Sequence, residues 1–184
     1  MEKESVFDEL RKRLSVKKLV YQSDWCKPES DIGIRLEREI AKMDRPLTPE
    51  ERSLAIRYLV DDCVLAQSNA DTRYKLAENN NPHSQKYGTY LKEAQNLTMR
   101  ATGDTKMLRK LSPDMNYLSG CRSYDAMFSL LTNFRRKLYF MREFPLCHNE
   151  AMILDDKLRF AVKREDYESA AKVRDQIRGL ALKD

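Results

Sequence analysis

Val6, Leu10 and Leu14 recur at four-residue spacing, with Phe7 beside them, so residues 3 to 14 read as an amphipathic helix. The stretch that follows, VYQSDWCKPESD, has no such period and holds the single tryptophan, Trp25, and Pro28. Trp25 reads as an anchor fastening the N-terminal segment to a helical body, with an exposed hot spot for a partner as the alternative. Ser30 or Asp31 can cap a short helix over IGIRLEREIAKM, where Ile34, Ile40 and Met43 fall roughly on one side. Pro46 then breaks the chain.

Leu47-Thr48-Pro49-Glu50-Glu51 is a helix start. Thr48 is the N-cap, Pro49 suits the first helical position, and Glu51 sits three after the cap to complete a capping box. Leu54, Ile56, Leu59, Val60, Val64 and Leu65 follow without a breaker, which predicts a helix reaching Leu76 and ended by the Asn79-Asn80-Asn81-Pro82 run. His83, in that turn, is expected to cap the next helix. Ser84 to Met99 carries Tyr87, Tyr90, Leu91, Ala94 and Leu97 at helical spacing. Two long helices joined by a short polar turn pack antiparallel. Gly103-Asp104 and Ser112-Pro113-Asp114 punctuate the middle, leaving MLRKL between them as a short helix. Met127 to Met141 is rich in apolar residues and is expected to be the most buried helix, stopped by Pro145.

The closing segment has two apolar stripes. Leu154, Leu158 and Ala161 form the seam of one helix, and Ala170, Val173, Ile177 and Leu180 form that of a second. Lys163-Arg164-Glu165-Asp166 between them is polar and can turn the chain. Asp166 can then cap the second helix by accepting from a backbone N–H near Ser169. Small Ala170 and Ala171 allow close approach of the two helices. A hairpin of this size is marginal alone, so its apolar edge calls for the rest of the chain, a second copy or another protein.

Composition narrows the class. The chain has 184 residues, 34% of them charged and 41% hydrophobic, enough for a core inside a charge-rich surface. Five glycines and six prolines are too few for a turn-rich β fold. Fold class is therefore all-α: an antiparallel helical body over residues 1–145 and a C-terminal helical hairpin over 150–184. The opening residues lack a secretory apolar region, and no run reaches the roughly 18 apolar residues of a membrane helix. A cytoplasmic setting without membrane contact is the expectation. Cys26, Cys63, Cys121 and Cys147 form no CxxC pair, and with only His83 and His148 beside them no zinc spacing arises. No metal or cofactor is expected. Five glycines leave no phosphate-cradling loop, and neither a nucleophile elbow nor HExxH occurs, so an enzyme is not expected. Asp61-Asp62 and Asp155-Asp156 point about 100° apart on a helix and read as solvated surface charge.

The hairpin stretch also carries a resemblance. It reads L-x-x-x-L-x-x-A from Leu154 to Ala161, then D-Y-E-x-A-A-x-x-R-D-x-I-x-x-L from Asp166 to Leu180. This resembles the UVR motif of the bacterial excision-repair proteins UvrB and UvrC, found also in Clp-associated proteins such as McsA and in the ClpC unfoldase. That family has Phe or Tyr at the position of Tyr167, the Ala pair at Ala170-Ala171 and the Arg-Asp pair at Arg174-Asp175. The resemblance covers about a fifth of the chain and implies a hairpin that docks on another protein, one with a like hairpin included, or on a second copy. Leu154, Leu158, Tyr167, Ala170, Arg174, Ile177 and Leu180 are the implied contacts. Residues 1–145 show no helicase motif, nuclease or paired cysteines of McsA, so the resemblance does not carry a partner with it. Excision repair and control of a Clp-type unfoldase are the two settings it implies.

The net charge of +5 is mildly basic. Between residues 86 and 142, Lys92, Arg100, Lys106, Arg109 and Lys110 accompany only two carboxylates up to Lys110, and Arg135, Arg136, Lys137 and Arg142 interleave with aromatic residues. Helical spacing puts Phe134, Leu138 and Met141 on one face, so a core helix with a solvated basic edge is the first reading. The alternative is a nucleic-acid surface of Arg109, Lys110, Arg135, Arg136, Lys137 and Arg142, if the two basic stretches lie side by side.

Overall fold

The computed structural model describes residues 5–15, 32–115, 121 and 123–182, with the side chains of Ser15 and Ile32 excepted. Trp25, Cys26 and the caps expected at Ser30 or Asp31 lie outside the described residues. The fold is all-α: α1 (Val6–Ser15), α2 (Ile32–Lys42), α3 (Pro49–Glu78), α4 (Gln85–Leu111), α5 (Tyr124–Glu143), α6 (His148–Lys163) and α7 (Tyr167–Ala181). Among the described residues no helix is long and apolar enough to cross a membrane.

The start of α3 is built as its local sequence dictates. Thr48 accepts from the Glu51 N–H at 3.2 Å, and Glu51 accepts from the Thr48 N–H at 2.9 Å. Arg45 grips the same carboxylate at 2.7 and 2.8 Å, and with the Thr48 N–H holds it down to about 2, below the usual carboxylate range. At the Asn79–Pro82 turn the cap of α4 is Ser84, which accepts from the Tyr87 N–H, and not His83 as the sequence suggested. A hydroxyl one residue nearer the helix reaches the free N–H, whereas His83 N–H is turned back onto Asn81.

α3 and α4 pack antiparallel: Arg52 Nε donates to the Leu111 carbonyl at one end, and Arg73 pairs with Glu93 at the other. The α3 side of this contact is a stripe of small residues, Ala55, Ala66, Ala70 and Ala77, around Tyr58, Leu59 and Cys63. Small side chains let the backbones approach. Three expectations fail here. α4 does not stop at Met99 but continues through Gly103-Asp104 to Leu111, because Asp104 and Thr105 are both buried and the packing outweighs the roughly 1 kcal/mol that a helical glycine costs. The most buried helix is α4, with eleven buried side chains against six in α5, since it lies between α3, α5 and α2. Asp62 is fully buried, not solvated, and holds Arg100 through Nε–Oδ2 at 2.7 Å and Nη2–Oδ1 at 3.0 Å.

α5 runs antiparallel to α4, with the Tyr87 hydroxyl donating to the Met141 carbonyl at 2.5 Å and Arg109 beside Asp125 at the opposite end. α1 and α2 close the far end of the core through Val6, Phe7, Leu10 and Leu36. In α2 the inward stripe is Leu36 and Ile40, continued by Met43 just past its end. Ile34, expected on that side, is exposed because it lies 200° around the helix from Leu36.

Candidate functional site

α6 and α7 form a hairpin whose turn is three residues long. The Asp166 N–H bonds the Ala161 carbonyl at 3.0 Å and the Glu165 N–H bonds the Val162 carbonyl at 3.0 Å. This pair of bonds closes a helix by placing one residue in the left-handed region, here Glu165 at φ 60°. Asp166 immediately caps α7, accepting from the Ser169 N–H at 3.1 Å, and the Ser169 hydroxyl together with that N–H lowers its carboxyl from the ordinary value. The predicted cap and turn are thus both in place.

The two seams meet as the spacing implies. Leu154, Ala161, Ala170 and Leu180 are buried, while Leu158, Val173 and Ile177 are half-buried. At its base the hairpin is seated on the end of α5: Phe140 and Phe144 pack with Ala151, Leu154 and Leu180. Burying Leu154 and Leu180 contributes at most about 3–6 kcal/mol. Arg136 locks the joint. Its Nη2 lies 2.6 Å from Asp155 and its Nη1 2.7 Å from Asp156, Nη2 also donates to the Met152 carbonyl at 3.1 Å, and the guanidinium sits over the Phe140 ring. Asp155 and Asp156, adjacent in sequence, converge on one arginine because its planar fork spans both. The reading of Asp155 as solvated charge therefore fails.

At the far end the side chains point outward. Tyr167 is 69% exposed and Phe160 60%, with the Arg164 guanidinium 5.2 Å over the Phe160 ring. Val162 is also exposed, and Ile153 lies two turns before Phe160 on the same flank of α6. Arg174 is exposed two turns after Tyr167 on α7, beside Asp175 at 3.3 Å. Of the seven contacts implied by the sequence, Tyr167 and Arg174 face outward. Leu158 and Ile177 line the half-buried edge, and Leu154, Ala170 and Leu180 hold the hairpin together. Sequence reasoning missed Ile153 and Phe160, whose seven-residue spacing marks a second apolar flank beside the seam.

A family model described as UvrB/uvrC motif matches residues 154–182. This hairpin is a UVR motif. The match begins at Leu154 and ends one residue past α7, so it takes in both seams, the turn and the Asp166 cap. The UVR motif is an interaction module without catalytic groups, and the body before it falls outside the match. No curated protein and no solved structure matches the chain.

The basic residues outside the UVR motif are dispersed in a defined way. Arg100 is buried on Asp62 and contributes nothing to a surface. Arg136 is engaged by the hairpin, and Lys137 lies over the Tyr74 ring on the α3 side of α5. Arg109 pairs with Asp125 and Lys110 with Glu37 at one end of the α4–α5 pair. Arg135 and Arg142 stand at the other end, Arg142 over the Tyr139 ring and beside Glu143. Among the described residues no group of three or more His, Cys, Asp or Glu could hold a metal ion.

Proposed function

We propose that the chain is a non-enzymatic interaction protein, an adaptor, regulator or assembly subunit, whose helical body over 1–145 presents the hairpin over 150–184 to another protein in the cytoplasm. The observation that carries this is the division of labour within the hairpin. Its seam is closed by its own residues and its base by Phe140 and Phe144 at the end of α5, yet two aromatic rings, Phe160 and Tyr167, are left outward on a recognised interaction motif. Solvent-exposed rings at a rigid tip are what a docking contact uses, because they contribute area at low cost in side-chain freedom. A partner bearing a like hairpin is the first candidate. Excision repair of DNA and control of a Clp-type unfoldase are the two settings that follow from the motif.

The test is affinity capture from the source cell with wild type beside a Phe160→Asp, Tyr167→Asp variant. These two positions are open, so their substitution leaves the seam intact. A protein retained by wild type and lost by the variant supports docking through the tip and names the setting. An identical set of retained proteins contradicts it. A Leu158→Asp, Ile177→Asp pair is less informative, since both residues line the internal edge and the variant is expected to disrupt the hairpin itself.

A further inference from the structure

We infer that the seam between α4 and α5 is a binding groove for single-stranded nucleic acid, separate from the hairpin tip. On α4, Gln95, Gly103, Lys106 and Lys110 line its wall, and their spacing puts them on one face. On α5 the facing wall is Phe128, Thr132, Arg135, Tyr139 and Arg142, again one face at intervals of three and four. Two cavities open along this seam, of about 430 Å³ around Phe128 and Lys106 and about 310 Å³ around Arg135 and Tyr139. The stretch from Phe128 to Arg142 is about 21 Å long.

Its chemistry is that of a strand-binding surface. Cations stand at both ends, Lys106, Arg109 and Lys110 at one and Arg135 and Arg142 at the other. Carboxylates offset three of them: Glu37 pairs with Lys110, Asp125 with Arg109 and Glu143 with Arg142. Lys106 and Arg135 have no ion-pair partner among the described residues, so they are the charges available to phosphates. Between the cations lie the half-buried Phe128 ring and the Tyr139 ring, 51% exposed, on which bases can stack. Gly103 adds no side chain to the wall, and a Cβ there would meet nothing within 4 Å. Rings that stack on bases select a single strand, whose bases are free to leave their own stack, over a duplex. The interleaved rings favour nucleic acid over an acidic polypeptide, which would use the cations alone.

The experiment is fluorescence anisotropy of the full chain with a labelled oligothymidine of about twelve nucleotides, across 50–200 mM salt. Each phosphate neutralised on a single strand adds about −0.7 to the slope of log K against log salt, so the slope should fall between about −1.4 for Lys106 and Arg135 alone and about −3.5 for all five cations. Lys106→Glu with Arg135→Glu should weaken binding more than tenfold, and Tyr139→Ala should weaken it about five- to hundredfold. Lys137→Glu, a single charge reversal on the other side of α5 to be compared with Arg135→Glu alone, and the Phe160→Asp, Tyr167→Asp hairpin variant should leave binding within twofold. Circular dichroism confirms that each variant is folded. Absence of binding at 50 mM salt overturns the inference. So does equal loss with Lys137→Glu, which would mean unspecific charge, or undiminished binding with Tyr139→Ala together with equal competition by polyglutamate, which would make the groove a site for acidic protein.

Discussion

Arg100 and Asp62 offer the sharpest energetic prediction. Their side chains are 3% and 0% exposed, they share two hydrogen bonds of 2.7 and 3.0 Å, and Arg100 donates a third to the Tyr58 hydroxyl at 3.3 Å. Replacing Arg100 with Leu leaves a carboxylate without its counter-charge in the middle of the α3–α4 contact. Breaking such a pair from one side costs about 3–5 kcal/mol, because the remaining charge has lost water and gained no partner. For a chain of this size that corresponds to a fall in Tm of about 6–20 °C. Replacing both residues, Asp62→Leu with Arg100→Leu, removes the stranded charge and should recover most of the loss, to within about 2 kcal/mol of wild type. Urea unfolding followed by circular dichroism measures all four corners of the cycle. A single variant that loses less than about 1 kcal/mol, or a double variant no better than the worse single, would refute the reasoning.

Arg136→Met should cost about 1.5–3 kcal/mol, the range for hydrogen bonds to charged groups, and the loss should appear as faster amide exchange near Asp155 and Leu180 with α3 and α4 unaffected. Glu165→Gly should stabilise the chain by about 0.5–1 kcal/mol in thermal melts, since relief of the left-handed strain exceeds the added freedom of the unfolded chain. Cys63 is fully buried beside Thr105, and that burial pushes its thiol up to about 12. Iodoacetamide at pH 8 should therefore leave it unmodified in the native state while the half-buried Cys121 and Cys147 react, as peptide mass mapping would show. Because the folded thiol holds its proton more tightly than the unfolded one, its contribution to stability is complete below about pH 9 and declines as pH rises toward 12.

What could be read along the chain was whatever is decided within a few residues. The Thr48–Glu51 box, the Asp166 cap, the turn before it and the two hairpin seams are all local, and all appear as expected. Apart from two local misplacements, the α4 cap and Ile34, what could not be read depends on partners far along the chain. Arg100 looks like surface charge until Asp62, 38 residues earlier, is brought to it. Arg136 looks like part of a basic patch until the hairpin folds back and two carboxylates reach it. Gly103-Asp104 looks like a break because propensity alone says so, while burial between α3 and its neighbours carries α4 through. Alanines gave the weakest signal of all. Ala55, Ala66, Ala70 and Ala77 lie buried along the most extensive helix contact of the body, yet periodicity arguments weight large apolar residues.

The central claim is that the hairpin tip is where another protein binds. Placing a photoreactive phenylalanine analogue at Tyr167, with Asp61 on the exposed face of α3 as the comparison site, tests it in the source cell. Docking through the tip predicts a discrete protein adduct from position 167 that is absent from position 61 and is lost on adding Phe160→Asp. Adducts of equal yield from both positions, or none from 167, would contradict the account and leave the hairpin as a structural end-piece of the body.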